Sequence, residues 1–334
     1  MDLNQQLDHS LRFDAEYGQR LSNHLPMLLV ALHRLGASPE RIAAASARYE
    51  GKLHTMPPLQ AWSAGDPWRE PFGQPEAWPR YRDLFTTWLQ EEGAGDTLRQ
   101  TLPALLPGSG AAAFHGLIRT AYAVDAGHRA ELAHALAYWS SRWLDVGVVG
   151  GDTAAVHTHG TQANPAPLLQ AAARVPGVAG STSGYIVERL HHAAWQPGFA
   201  AAIAALRLDE GTLPRLARHA AQLYARSGNF TVLHLVTSAW ALRVLLPFVD
   251  ADGGLPAALA SYWRAYAAGA AGLRAGIKPG RAPLPLPWPQ ILDRALHSDD
   301  EHVVKLVHAC QQEQQAHGGA DDWQKAATRG VLGQ

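Results

Sequence analysis

From Leu25 to Leu35 the run LPMLLVALHRL reads as a helix, with Ser22 or Asn23 ahead of it as cap, Pro26 in the first turn and Gly36 as a stop. Ser38 and Pro39 restart the chain as cap and first helical residue, leading RIAAASARYEGKL. Further helical stretches run through about 80–92, 95–106, 111–124, 128–143, 184–194, 197–206, 211–227, 230–249, 254–275, 287–297 and 299–317. Many are rich in alanine, which favours helix. Alternating β-branched runs are nearly absent, VGVVG from Val146 being the one tempting strand. The pattern predicts an all-α protein, one large multi-helix domain over residues 1–334 with long Pro/Trp-rich loops.

Three stretches break the helical rhythm. Between Met56 and Arg80 lie six prolines together with Trp62, Trp68, Phe72 and Trp78. A structureless loop this long is usually functional or disordered, and its aromatics argue against disorder. Residues 57–80 are therefore read as an ordered flap over a cleft, with a merely docked surface loop as the alternative. Residues 276–289 hold five prolines in KPGRAPLPLPWP and read as a docked connector with extended, polyproline-like backbone. Residues 146–167, rich in Gly, Thr and His, read as a third loop.

Composition narrows the classes. Apolar residues make up 47% of the 334 and charged residues only 17%, so a sizeable core can be buried. The net charge of −1 leaves no basic field for nucleic acid. A single cysteine, Cys310, excludes an internal disulfide framework and suits a reducing compartment. The start MDLNQQLDHSLRFDAEYG carries early acids and lacks the apolar stretch of a signal peptide. No run approaches the roughly 18 uninterrupted apolar residues of a membrane span. The expectation is a cytoplasmic protein with no membrane partner, its oligomeric state open. Two counts stand out: 17 histidines, and only four lysines, Lys52, Lys278, Lys305 and Lys325.

Several histidines fall on apolar helix faces. His24 shares a face with Met27, Leu28, Ala31 and Leu35; a buried histidine satisfied by one hydrogen bond would give the same pattern. His115 shares a stripe with Ile118, Arg119 and Tyr122. His234 lies in NFTVLHLVTSAWALR, a segment almost free of charge, where a buried imidazole needs a partner. His302, Lys305 and His308 recur every three residues behind Asp299, Asp300 and Glu301, acids favourable at a helix N-terminus; an exposed amphipathic helix accounts for this pattern as well. Neutral imidazoles together suit a transition metal. A buried lysine shifts toward the nucleophilic amine, which can capture carbon dioxide as a carbamate and offer a metal an anionic oxygen.

Competing motifs are weaker. Glu131 with His134, and Glu188 with His191, match the Glu-x-x-His pattern of di-iron bundles. No Glu lies between His134 and Glu188, so the usual alternating order fails. His157 and His159 resemble a metal-binding pair, but their Gly-rich loop also reads as solvated surface. Gly108 to Ala113 mimics a dinucleotide turn without the preceding strand that such a turn requires.

Four blocks carry a resemblance to the questin oxidase-like family. NHLPMLLVALHRLGAS resembles that family's opening motif, and FHGLIRTAYAVD its His-Pro-x-Ile-His-Leu-Gly-Tyr segment. VLHLVTSAWALR is similar to its Ile-His-x-Val-Thr-x-x-His-Ala-Leu segment, and EHVVKLVHA to its C-terminal His-Val-x-Lys-x-Val-Arg-Ala helix. The blocks occur in the expected order from residue 23 to 309. The resemblance implies oxygen chemistry on polycyclic phenolic quinones, by ring cleavage or Baeyer–Villiger-type oxidation. It also implies a non-haem Fe(II) held by histidines and a carboxylated lysine, here His24, His115, His234, His302 and Lys305. The chain departs from the family where Arg119 and Trp240 replace histidines; both are expected to line the substrate pocket. NADPH is a reductant that the resemblance suggests, although no dinucleotide fingerprint is visible.

The expected partners are dioxygen and a small aromatic or quinone substrate, docked under the aromatic flap. Arg119 is assigned to neutralise a phenolate, and Tyr122 to donate a hydrogen bond or proton. Two other classes stay open: a zinc hydrolase using the same histidines, and a non-catalytic helical protein that sequesters an aromatic ligand.

Overall fold

In the computed structural model, which describes residues 2–147, 160–249, 254–273, 280–318 and 321–333, nearly every segment with a helical pattern is an α-helix. The first half of the chain forms α1 (Leu3–Ser10), α2 (Leu25–Arg34), α3 (Pro39–Glu50), α4 (Trp78–Glu91), α5 (Gly93–Leu105), α6 (His115–Ala126) and α7 (Arg129–Ser141). There follow α8 (Pro165–Ala173), α9 (Ile186–Ala194), α10 (Phe199–Ile203), α11 (Thr212–Ser227) and α12 (Phe230–Leu245). The last are α13 (Gly254–Ala271), α14 (Trp288–His297), α15 (Glu301–His317) and α16 (Asp322–Val331). The protein is all-α, with one two-stranded antiparallel hairpin, β1 (Glu16–Tyr17) and β2 (Leu21–Ser22), among the described residues.

Predicted and observed ends agree where cap chemistry is explicit. Ser38 accepts from the Arg41 N–H ahead of Pro39, and Asn229 accepts from Thr231 and Val232 at the start of α12. Three helices lie outside the predicted set. The Asp2/Gln5 capping box that opens α1 and the Asn164-Pro165 start of α8 were legible signals for two of them. The hairpin carried no alternating pattern long enough to read. His157, His159 and the tail of VGVVG lie outside the described residues.

One boundary differs for a physical reason. The alanine run before His115 was expected to be helical, but α6 begins only at His115. Ala112, Ala113 and Phe114 have φ of 47°, 57° and 70°, a left-handed turn of three consecutive non-glycine residues. Each such residue is strained, and strain of this kind persists only where the surroundings over-determine it.

Helix α12 is the centre of the core, packed against α6, α11, α13 and α15. With its 3-10 extension it spans Phe230–Phe248, long and apolar enough to cross a membrane by length and composition, yet it is mostly buried in the protein interior. Helices α2, α6, α12 and α15 close a ring in which each packs on the next.

The proline- and tryptophan-rich loop docks on α4. Trp62 packs on Tyr81, and Trp68 meets Phe85 and Trp88 at ring separations of 6.1 and 5.6 Å. Only the end of the loop, Gly73 and Pro75, reaches the main cavity; Trp62 and Trp68 line a separate, smaller one of about 300 Å³ against α4. In the second proline-rich stretch, residues 280–287 run without regular structure and α14 starts at Trp288.

Candidate metal centre

The four ring helices present their N-terminal ends to one place. His24 is the N-cap of α2, His115 the first residue of α6, His234 lies in the second turn of α12, and His302 is the second residue of α15. Their imidazoles form a cluster: His24 to His115 is 4.5 Å between ring centres, His24 to His302 4.6 Å, His115 to His234 4.9 Å and His234 to His302 5.7 Å. Ligand atoms of His24, His115 and His302 lie within 4.8 Å of one another. Residues far apart in sequence are thus brought together.

Hydrogen bonds fix which nitrogen three of the four rings offer. The Nδ1–H of His115 donates to the Ala112 carbonyl at 2.6 Å, and that of His234 to the Phe230 carbonyl at 2.8 Å. A carbonyl only accepts, so the proton is on Nδ1 and the lone pair on Nε2. His302 Nδ1 sits 3.2 Å from the Asp300 carboxylate, itself the cap of α15. The Nε2 of His115 is buried with no hydrogen-bond partner. The left-handed turn now has a use: it aims the Ala112 carbonyl at the ring that it orients.

The cluster is held neutral. Burial first, then the Lys305 ammonium and the neighbouring imidazoles, pushes His24 well below the ordinary histidine range; burial, then His234 and Lys305, does the same to His115. Burial, with His302 next, brings His234 down to about 3. Burial lowers His302 less, because Asp300 favours its charged form. Lys305 is 2% exposed, and burial pushes its ammonium down to about 8 against the pull of Glu301 and Asp300. Neutral imidazoles are competent ligands with no proton to lose first.

Above the cluster opens a cavity of about 780 Å³ whose lining includes His24, His115, His234 and His302. This falls within the usual range for small-molecule sites. Trp143, Tyr185, Phe230, Leu144 and Ile186 supply apolar wall. Trp143 is seated by Gly108, where a Cβ would fall 2.4 Å from the indole, so that glycine serves packing. The hairpin brings Glu16, Tyr17, Arg20 and Leu21 to the wall, and Glu16 is clamped by Arg142 through two hydrogen bonds of 2.9 Å.

Arg119 and Tyr122, assigned to substrate from their shared helix face with His115, do not line this cavity. They lie four and seven residues along α6, roughly 6 and 10 Å deeper at 1.5 Å rise per residue. Arg119 is 2% exposed and holds Glu131 by a two-pronged pair at 2.6 and 2.9 Å, which also removes Glu131 from any di-iron motif. Tyr122 OH is 3.0 Å from His308 Nδ1. Trp240, expected at the pocket, packs on Tyr122 and His308 at 4.5 and 5.0 Å. Glu188 pairs with Arg20 at the surface. The residues that sequence reasoning missed are the Glu16–Arg142 clamp, Tyr17 and Tyr185 in the wall, and Glu301, whose carboxylate lies 3.4 Å from His24 Nδ1. Only Glu301 had a signal, its adjacency to His302.

A search among curated proteins returns no match. A sequence model of the questin oxidase-like family matches residues 21–310, a span that holds every residue of the histidine cluster and Lys305. The chain belongs to the questin oxidase-like family, which implies an oxidoreductase of the oxygenase kind acting on an aromatic substrate.

Proposed function

We propose that this protein is a non-haem iron oxygenase that oxidises a planar polycyclic phenol or quinone. The observation that carries the reading is the convergence of four neutral imidazoles, with the His115 Nε2 buried and unpartnered, on the floor of the cavity. An all-imidazole donor set fits Fe(II), and a lysine carbamate would add the one anionic oxygen. His24, His115, His234, His302 and carbamylated Lys305 would hold the iron. When bound, iron supplies the one-electron redox steps that dioxygen activation requires.

The remaining roles belong to the chain. Trp143, Tyr185 and Phe230 offer flat apolar faces to a fused ring system and exclude water from it. The Glu16–Arg142 clamp and Tyr17 offer the polar wall for substrate hydroxyl or carbonyl groups. Burial favours loss of the Lys305 ammonium proton; the neutral amine would then attack carbon dioxide through Nζ and release a second proton to solvent, leaving the carbamate. Outward hydrogen bonds from Nδ1 keep His115, His234 and His302 in the tautomer that binds metal.

Elemental analysis of protein purified without added metal tests this, alongside His234→Ala and Lys305→Ala. Stoichiometric iron in the parent, lost in both variants, with oxygen uptake on a quinone or hydroquinone panel, is the expected result. Zinc with oxygen-independent turnover would replace the oxygenase with a hydrolase. A folded protein that neither holds nor takes up metal would leave a binding protein for aromatics.

A further inference from the structure

Three of the four imidazoles are oriented by an acceptor in good hydrogen-bonding geometry, and His24 is not. Its Nδ1 is buried with no hydrogen-bond partner. Glu301 Oε1 lies 3.4 Å from it, inside ion-pair distance but outside hydrogen-bond alignment. Glu301 is unusual for an acid in a first helical turn, where carboxylates normally face water. Asp299, two residues earlier, does face water and pairs with Arg48. Glu301 instead is 9% exposed, turned between α2 and α15, with His302 Nδ1 3.8 Å from the same oxygen, Oε1. Its charge is felt by Lys305, and also by Tyr49, whose hydroxyl accepts the His24 backbone N–H.

A buried carboxylate needs a compensating cation or a set of donors. The four neutral imidazoles supply no charge, the Lys305 ammonium that feels Glu301 would be lost on carbamylation, and no side-chain hydrogen bond to Glu301 is formed among the described residues. A divalent cation held by the imidazoles, together with the His24 Nδ1–H, would satisfy both needs. We infer that Glu301 is the positioning residue for His24 and the counter-charge of the centre, acting through the His24 ring and not as a ligand. The four rings then share one plan: each Nδ1–H is directed outward, to Ala112, Phe230, Asp300 or Glu301, and each Nε2 inward.

This inference rests on the metal-centre reading, and the experiment separates the two. Co(II) is titrated into metal-depleted full-length protein, with affinity measured by chelator competition and the visible ligand-field spectrum recorded. Glu301→Leu, Glu301→Gln and His234→Ala are compared with the parent. Loss of an outer-sphere partner of a ligating histidine typically weakens metal binding about 10–100-fold. That loss is expected in Glu301→Leu with an altered spectrum, and Glu301→Gln, which keeps an acceptor but no charge, should fall between it and the parent. If Glu301→Leu does not fold, Glu301→Gln carries the test with a several-fold loss. Unchanged affinity and spectrum in the Glu301 variants overturn the inference while leaving the centre intact. A loss as complete as in His234→Ala makes Glu301 a ligand and also overturns it. A parent that takes up no Co(II) overturns the centre and, with it, the role of Glu301.

Discussion

Helices α6, α12 and α15 each carry two polar or aromatic side chains, buried or nearly so, six or seven residues apart, and the two sets differ in kind. The first set is His115, His234 and His302 at the helix N-terminal ends. The second is Tyr122, Trp240 and His308, roughly 9–10 Å further along the same axes. Burial does not separate them, nor does basicity: burial pushes both His234 and His308 down to about 3. The difference lies in access and direction. The first set lines a cavity and aims lone pairs into shared space, whereas the second lies outside that cavity's lining: Tyr122 meets His308 Nδ1, Trp240 packs across both, and the His308 Nε2 is buried without a partner. A buried histidine becomes a ligand candidate when its free nitrogen faces other free nitrogens.

The largest test of this contrast is His115→Ala against Tyr122→Phe. The first should abolish metal binding with the helical circular dichroism retained, and the second should keep full metal content. Equal loss in both would erase the distinction.

Arg119→Ala comes next. It leaves the Glu131 carboxylate buried without its partner, and breaking such a pair costs about 3–5 kcal/mol of stability. Urea denaturation should show this, and the double change to Met at both positions should recover most of it. A fall in kcat with unaltered stability would return Arg119 to the substrate.

A smaller effect is expected for Tyr122→Phe on stability. Leaving the His308 Nδ1 without its hydroxyl costs about 1–3 kcal/mol, read as a lower urea midpoint with kcat unchanged.

Smallest per step, and most diagnostic, is the effect of a single pH unit. His308 stays neutral down to about 3 in the fold but titrates near 6.5 when unfolded, so the unfolded chain binds the extra proton between those values. Its contribution to stability is complete above pH 6.5 and is lost as pH falls toward 3, by at most about 1.4 kcal/mol per pH unit. Denaturant midpoints between pH 4 and 7 should fall with acid, and His308→Leu should flatten that slope by one proton. An unchanged slope would show that His308 is not held neutral.

The helical fold was legible because its information is local. Period, alanine content and caps such as Ser38 and Asn229 act within a few residues. The histidines that cluster were also legible as candidates, since an imidazole on an almost uncharged helix such as α12 is costly to bury without a purpose. Extending that logic along α6 added Arg119 and Tyr122, which lie outside the lining of the cavity. A shared face gives direction around the axis but no depth along it.

Depth was decided by how α2, α6, α12 and α15 pack, which determines which of their turns abut the cavity. Only the packed chain could bring Glu301 of α15 to His24 of α2, or the Glu16–Arg142 clamp to the cavity wall, because these pairs are 277 and 126 residues apart in sequence. The docking of the tryptophan loop on α4 belongs to the same class: aromatic content said that it would be ordered, and the exposed face of α4 decided where. The sequence by itself determined the helices and most of the groups that could bind a metal, through short-range backbone and burial energetics. Tertiary structure alone decided which of those groups meet, because contact between distant segments depends on the packing of whole helices and leaves no periodic trace in the chain.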